Sequence, residues 1–509
     1  MLSAMGGNAQ SALLERRSLW LVITLVLVAM PFSAAEYIPS TDLPQHAAQV
    51  RLLEEAWGLS DKTLDTSLFE VRAFGANVLV YYPMFLLGRV FSLRLAAKLT
   101  VLLILLGSVV GLHQLARTRG RDPVHALLAA LALFSSPLYW GFLNFLCGLP
   151  LFLWLLARLL GHTEGRLSRR TLAFDAGLLV LLYGAHVFWV ALAGLACLLT
   201  ELPRPTWRRF AFRAVSFLPA AFLLCLWYPK LLAARREAGF DLGTHYLTPL
   251  GARLSLSWLS SALFGGLQGM VEPICTVLVA AYALMAVVWA RRQGRLNLDR
   301  KLVSLGLVLW LFAFFGPNQY FNTILLNRRF MALSVMLLLL ALPSLPGPRT
   351  RGASAAVGVA FSLFTAFTWA LFDQVDLSGL RESLARIPAG ASVLGLDLRK
   401  SSVYVRDRPF LQVFAYAQAE HGGDLAFSFA EHSSSIVAYR ERRKVAWTRA
   451  LEWLPERVTK RDVQLFDCIL VNGTPAQQAG FAQAWGRESA IRHGFFRVYC
   501  HDASSAPSL

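Results

Sequence analysis

A succession of long apolar runs, separated by short arginine-rich loops, constrains this chain more than any other feature of its sequence. A helix needs about 20 mostly apolar residues to cross a bilayer, and runs near that length recur from Leu19 to Phe372. The first is predicted at 19–35, followed by spans at about 95–115, 122–136, 139–160, 171–184 and 186–201. Further spans are predicted at about 213–232, 271–290, 302–316, 322–345 and 353–372, which makes about eleven. The pair 171–184/186–201 also reads as one long tilted helix. Charged residues are only 16% of the chain, against about 25% in a soluble domain. The chain reads as a polytopic α-helical protein of a lipid bilayer.

The net charge of +18 invites a nucleic-acid reading, and its distribution argues against one. Arg117, Arg119 and Arg121 share one short loop, Arg204, Arg208 and Arg209 another, and Arg291, Arg292, Arg295, Arg300 and Lys301 a third. This is the positive-inside pattern, which sets topology. It places the N-terminus in the cytoplasm and the chain in the plasma (inner) membrane. Arg16-Arg17, the first apolar run and Ser33-Ala34-Ala35 imitate a secretory signal, but with so many spans following they read as an uncleaved first helix. Acidic residues outnumber basic ones over 36–72, as suits an outer loop. Within it, 44–57 reads as a helix with Pro44 in its first turn and Gly58 as its stop. The short run 78–90 reads as a helix in the outer interface, with a short span as the alternative. The first choice keeps Arg166, Arg169 and Arg170 inside as well.

After Phe372 the composition changes. Strand-like runs at 392–396, 425–429, 468–471 and 495–499 alternate with helical patterns at 410–420 and 475–486, which suggests a small α/β domain. The division is a transmembrane part, 1–372, with an outer loop 36–94 carrying interfacial helices, and a domain, 373–509. An odd number of spans puts that domain outside the cytoplasm. There Cys468 and Cys500 are free to form a disulfide, while the other four cysteines lie in apolar segments as small hydrophobes.

The stretch 36–46 draws attention first for chemistry. Asp42 and His46 are four residues apart at a helix start, so they share a face. A carboxylate there serves as a general base or as a cation ligand; the plainer roles are a charge at the positive helix end for Asp42 and a surface residue for His46. Arg328 and Arg329 open a predicted span, where a guanidinium either holds phosphate or reaches out to headgroups. His186 sits at a predicted outer turn, as a sugar or metal contact or a packing residue. Tyr320 lies on a polar outer stretch, 316–320. The loop 233–270 offers Arg235, Asp241, His245 and Arg253, and Glu272 stands at a span entrance. No nucleotide-binding glycine motif, zinc-protease motif or serine-hydrolase elbow is present.

The order of these features resembles the C-type membrane glycosyltransferases, which include protein mannosyltransferases and the lipid A aminoarabinose transferase. An apolar first helix leads into Thr41-Asp42-Leu43-Pro44-Gln45-His46, and the blocks 77–83, 94–99, 114–117 and 126–137 resemble the region after that loop. The resemblance implies a polyprenyl-phosphate-linked sugar as donor and an extracytoplasmic glycan, lipid or protein as acceptor. It makes Asp42 the catalytic base and, by position, Arg328 and Arg329 the holders of the lipid-linked phosphate; His46, His186 and Tyr320 are expected beside them as substrate contacts, and room is left for a divalent cation (Mg or Mn). The chain departs from the family in its second outer loop, 135–144, which lacks the expected acidic residue. Two other readings stand beside hexosyl or pentosyl transfer: a transporter or flippase of lipid-linked glycans, and a non-catalytic envelope-assembly protein.

Overall fold

The computed structural model describes residues 2–161, 168–201, 207–237, 239, 241–345, 347–485, 489, 491 and 493–501. Arg166, the linker 202–206 with Arg204, the side chains of Arg208 and Arg209, and the tail 502–509 lie outside the described residues.

The helical body begins with α1 (Leu2–Ala34), α2 (Leu43–Ala56), α3 (Tyr81–Gly88), α4 (Leu93–Thr118) and α5 (Pro123–Leu131). It continues through α6 (Ser136–Trp140), α7 (Leu143–Gly161), α8 (Arg169–Ala185), α9 (Val187–Glu201) and α10 (Trp207–Glu237). Then come α11 (Leu256–Leu263), α12 (Val271–Arg292), α13 (Arg300–Phe315), α14 (Met331–Ala341) and α15 (Pro348–Leu371). Among the described residues, 6 helical stretches are long and apolar enough to cross a membrane: Arg17–Ala34, Leu93–Thr118, Leu143–Gly161, Phe210–Glu237, Val271–Arg292 and Pro348–Asp376. The other five runs expected to span form the shorter helices α5, α8, α9, α13 and α14. The run expected over 322–345 shrinks because residues before Met331 turn irregularly, with positive φ at Phe321, Asn322 and Leu325. The run 171–201 is two helices, separated by extended backbone at His186.

Close backbone approach holds the body together. At Gly111 of α4, an added Cβ would lie 2.8 Å from Leu153 Cβ of α7, so the two long helices meet across a small residue. At Gly148 a Cβ would overlap the Trp189 indole, which therefore lies flat on α7.

Helix α2 was expected at the interface, with α3; instead nearly all of α2 is buried, including Gln45 and Gln49 at 0% exposure. The later part of the chain covers it. The Gln45 amide donates to Gln412 Oε1 and to the Phe427 carbonyl, and its oxygen accepts the Phe429 N–H. Gln49 accepts from Val437 N–H. Strand β1 (Phe69–Val71) in the 36–94 loop pairs antiparallel with Val437–Tyr439. Sequence reading could not supply this cover, which joins residues 360 or more positions apart. At eight residues, α3 is about 12 Å long and too short to span.

Beyond Phe372 the described residues contain a three-stranded sheet of Val393–Asp397, Cys468–Asn472 and Phe496–Cys500. The first pair is parallel and the second antiparallel. Cys468 and Cys500 face each other across that second pair and form a disulfide. The run 425–429, expected as a strand, contributes only a bridge at Leu425 and then a short 3-10 turn.

Candidate active site

The stretch 40–46 docks along the loop joining α6 to α7. Ser40 Oγ donates to the Leu138 carbonyl at 2.8 Å, Thr41 N–H to Tyr139 at 2.8 Å and Asp42 N–H to Trp140 at 3.1 Å. Gly141 makes the approach possible. Its φ is +77°, and a Cβ there would stand 2.7 Å from Asp42 N, so any other residue would force the strands of loop apart.

Asp42 is the N-cap of α2, yet its carboxylate accepts no capping hydrogen bond. The role of charge at the helix end is thus left without its usual contact. The carboxyl is instead enclosed. Burial pushes its pKa up to about 8, and the Arg329 guanidinium pulls the other way.

His46 stands on the same side but is fully engaged within the protein. Nε2 lies 3.2 Å from the Gly141 carbonyl and Nδ1 2.9 Å from the Tyr81 hydroxyl. The ring is then a neutral tautomer, with Nε2–H donating and Nδ1 accepting from Tyr81. Burial holds it neutral by lowering its pKa to about 4. Phe429 covers its edge, with centroids 5.4 Å apart. Tyr81 brings its hydroxyl toward Asn144 and Asp42. With both ring nitrogens committed, His46 ties α2 to α3 and the Gly141 turn.

Arg329 lies 7% exposed, its guanidinium 3.7 Å above the Phe142 ring. Nε and Nη2 both donate to the Ile324 carbonyl, at 3.3 and 3.1 Å. It makes no salt bridge among the described residues, and its charged neighbour is Asp42. His186 is an electrostatic neighbour of Arg329 as well. The imidazole packs on Phe145 and Phe188, and its Nδ1 accepts the Phe188 N–H at 3.3 Å.

The two arginines diverge. Arg328 donates to Ser261 Oγ at 3.1 Å, its Nε is buried without a partner among the described residues, and its acidic neighbour is Asp407. Asp407 accepts from Trp140 Nε1 at 2.8 Å, on the residue whose carbonyl takes the Asp42 N–H. An acid absent from the 135–144 loop is therefore supplied from far along the chain. Nothing in the sequence around Arg406-Asp407-Arg408-Pro409 marks it. Tyr320 is apart from this group: 45% exposed, on a two-residue ribbon paired with Thr244–His245, its ring beside Phe321. Glu272, at its span entrance, accepts from Gly266 and Leu267 N–H, with Arg406 at 3.7 Å.

The residues do not fit a divalent cation well. Among the described residues no three His, Cys, Asp or Glu side chains gather as ligands. The nitrogens of His46 are occupied, and the charge facing Asp42 is already a guanidinium.

No family profile and no curated protein matches the chain. Solved structures do. ArnT from Cupriavidus metallidurans bound to undecaprenyl phosphate aligns at TM-score 0.50 and 14% identity, over 97% of this chain and 99% of that one. The chain has the fold of ArnT. The apo form of that ArnT aligns at TM-score 0.48 and 14% identity over 98% and 100% of the two chains. The arabinofuranosyltransferase AftD from Mycobacteria aligns at 0.46 and 16% identity, over 96% of this chain but 40% of its own. A shared helical scaffold thus spans this chain and ArnT end to end, and on it Asp42 and Arg329 come together from positions almost 290 residues apart.

Proposed function

We propose that this protein is a membrane glycosyltransferase that moves a sugar from a polyprenyl-phosphate carrier to an acceptor hydroxyl outside the cytoplasm. The observation that carries this reading is the unclosed pair of partly covered Asp42 and buried Arg329, which feel each other's charge without forming a salt bridge. A base works best when its pKa lies near the working pH, and burial moves Asp42 there. Its carboxylate takes the acceptor O–H proton, the oxygen attacks the anomeric carbon, and the bond from that carbon to the phosphate oxygen breaks. The electron pair leaves with the polyprenyl phosphate. Arg329 and Arg328 hold the departing phosphate, for which a planar fork of donors is well shaped. His46 and Tyr81 position the loop that carries Asp42. Asp407 and Trp140 line the mouth above it, and His186 supports Arg329. Tyr320 is a peripheral contact for the acceptor.

Several features support the finer points. Counting α5, α8, α9, α13 and α14 with the six longer helices gives eleven spans. On this reading, with a cytoplasmic N-terminus, residues 373–509 form an α/β domain outside the cytoplasm, and the Cys468–Cys500 disulfide suits that side. ArnT in a like fold binds undecaprenyl phosphate, which favours a polyprenyl-phosphate donor. The residues favour transfer without a divalent cation, for the reasons of ligand geometry given above.

The test is transfer by the purified protein from a polyprenyl-phosphate sugar, beside surface-glycan analysis of an Asp42→Asn strain. Full transfer by Asp42→Asn would remove the base assignment.

A further inference from the structure

A cavity of about 580 Å³ shares no lining residue with the surroundings of Asp42. It opens between α1, α4, α7 and α8, at the ends where α4 and α7 finish and α8 begins. Among the described residues its wall carries four guanidinium groups, Arg17, Arg117, Arg121 and Arg158, and no Asp or Glu.

One of the four is neutralised from outside the wall: Arg158 Nε meets Asp175 at 2.9 Å. Arg121 donates to the carbonyls of Asn297 and Leu342, and its Nε is buried without a partner among the described residues. The guanidinium groups of Arg17 and Arg117 make no hydrogen bond or ion pair among the described residues. Positive-inside topology asks only that arginines lie at this end of the bundle. It does not ask them to converge on one cavity or to leave a buried donor idle, which is costly.

The rest of the wall is apolar. Trp154 and Phe174 are 44% and 47% exposed, and the neighbouring face of α1 shows Leu19, Val22 and Val26 at 58%, 55% and 55%. Apolar side chains this exposed, on helices built to span a bilayer, face lipid. A cationic hollow that opens beside a lipid-facing apolar surface matches one kind of molecule, a phosphate joined to acyl chains.

We propose that this cavity binds the headgroup of an anionic phospholipid. The phosphate sits among Arg17, Arg117 and Arg121, and an acyl chain runs along Trp154 and Phe174. The site is independent of sugar transfer.

Native mass spectrometry of the full chain, purified in detergent and titrated with phosphatidylglycerol or phosphatidylcholine, tests it. The wild type is expected to retain one phosphatidylglycerol with about tenfold preference over phosphatidylcholine. Arg17→Gln/Arg117→Gln brings the two lipids to parity, while Arg17→Lys/Arg117→Lys keeps most of the preference. Parity in the wild type, or an undiminished preference in the glutamine variant, overturns the proposal. Displacement of the lipid by millimolar inorganic phosphate also overturns it, in favour of a soluble phosphate. Should the double variant fail to fold, Arg17→Gln alone decides: its preference falls several-fold, or there is no lipid site here.

Discussion

Buried acids and arginines meet at both ends of the helical body, and they meet differently. At the arginine-rich end the pairs are closed. Arg213 Nε lies 2.6 Å from Glu201, with both side chains under 10% exposed. Arg119 meets Asp299 at 2.5 Å, and Arg351 meets Asp122 at 2.7 Å. Within each of these three pairs the charge has its countercharge in contact, which is what burial of a charge ordinarily requires. At the other end, Arg329 is enclosed and Asp42 is partly covered, and the two do not close on each other. Arg329 spends its donors on one carbonyl and on the Phe142 ring, and Asp42 leaves its cap unmade. A closed pair stabilises the fold, whereas an open one keeps its charges for something else. That difference, more than the presence of either residue, separates the candidate site from the ion pairs around it.

The comparison breaks most visibly at Asp42. Asp42→Asn should lower the transfer rate by roughly 10²–10⁴, the usual contribution of a general base, without lowering the thermal unfolding midpoint. A large loss of stability with unchanged specific activity would make Asp42 structural after all. The closed pair should behave in the opposite sense. Glu201→Gln leaves Arg213 buried without its countercharge and should cost about 3–5 kcal/mol, read by chemical unfolding in detergent. Glu201→Leu/Arg213→Leu should recover much of that loss, and activity per folded molecule should not change in either variant.

How much of this was legible in the sequence follows from the range of the forces involved. Hydrophobic runs are local, so the six long spans and the breaks between them could be read directly. Asp42 stood out because an acid opening an outer loop after the first span is a short-range pattern. The burial of α2 was not legible. It depends on Gln45 and Gln49 meeting Gln412, Phe427 and Val437, and nothing local in either segment announces the other. The same holds for Asp407, which reaches the site through Trp140. Arg328 and Arg329 were found as a pair, but adjacent residues project in different directions, and only the fold shows that one faces Asp42 and the other Ser261 and Asp407. The partners of His46 were not legible, because two polar residues on one helix face look alike until the fold shows what each one meets.

A milder change sharpens the role of Arg329. Arg329→Lys keeps a positive charge but loses the planar fork that takes two phosphate oxygens at once. A charge-assisted hydrogen bond is worth about 1.5–3 kcal/mol, so transfer should fall roughly 10- to 100-fold. The loss should appear in kcat, since the charge on the phosphate grows as the sugar leaves. An equal loss on Arg328→Lys would show that the two arginines share the phosphate. A much smaller one would assign Arg328 to the Ser261–Asp407 side alone.

The smallest effect is the pH profile, and it reads the open pair without changing a residue. Burial raises the Asp42 pKa to about 8 in the folded protein, and a base acts only when deprotonated. Activity should therefore rise with pH through that region and be lost as pH falls, by about fivefold between pH 8 and pH 7 for a single site. An ordinary exposed carboxylate would give a flat profile over that interval. Because Arg329 is the charge that lowers the Asp42 pKa, Arg329→Gln should move the rising limb to higher pH, in addition to reducing the maximum. His46 provides the control. It is held neutral with a pKa of about 4, so it contributes no step between pH 6 and pH 9, and a limb that persisted unchanged in Asp42→Glu and Arg329→Gln alike would have to belong to a group outside this pair.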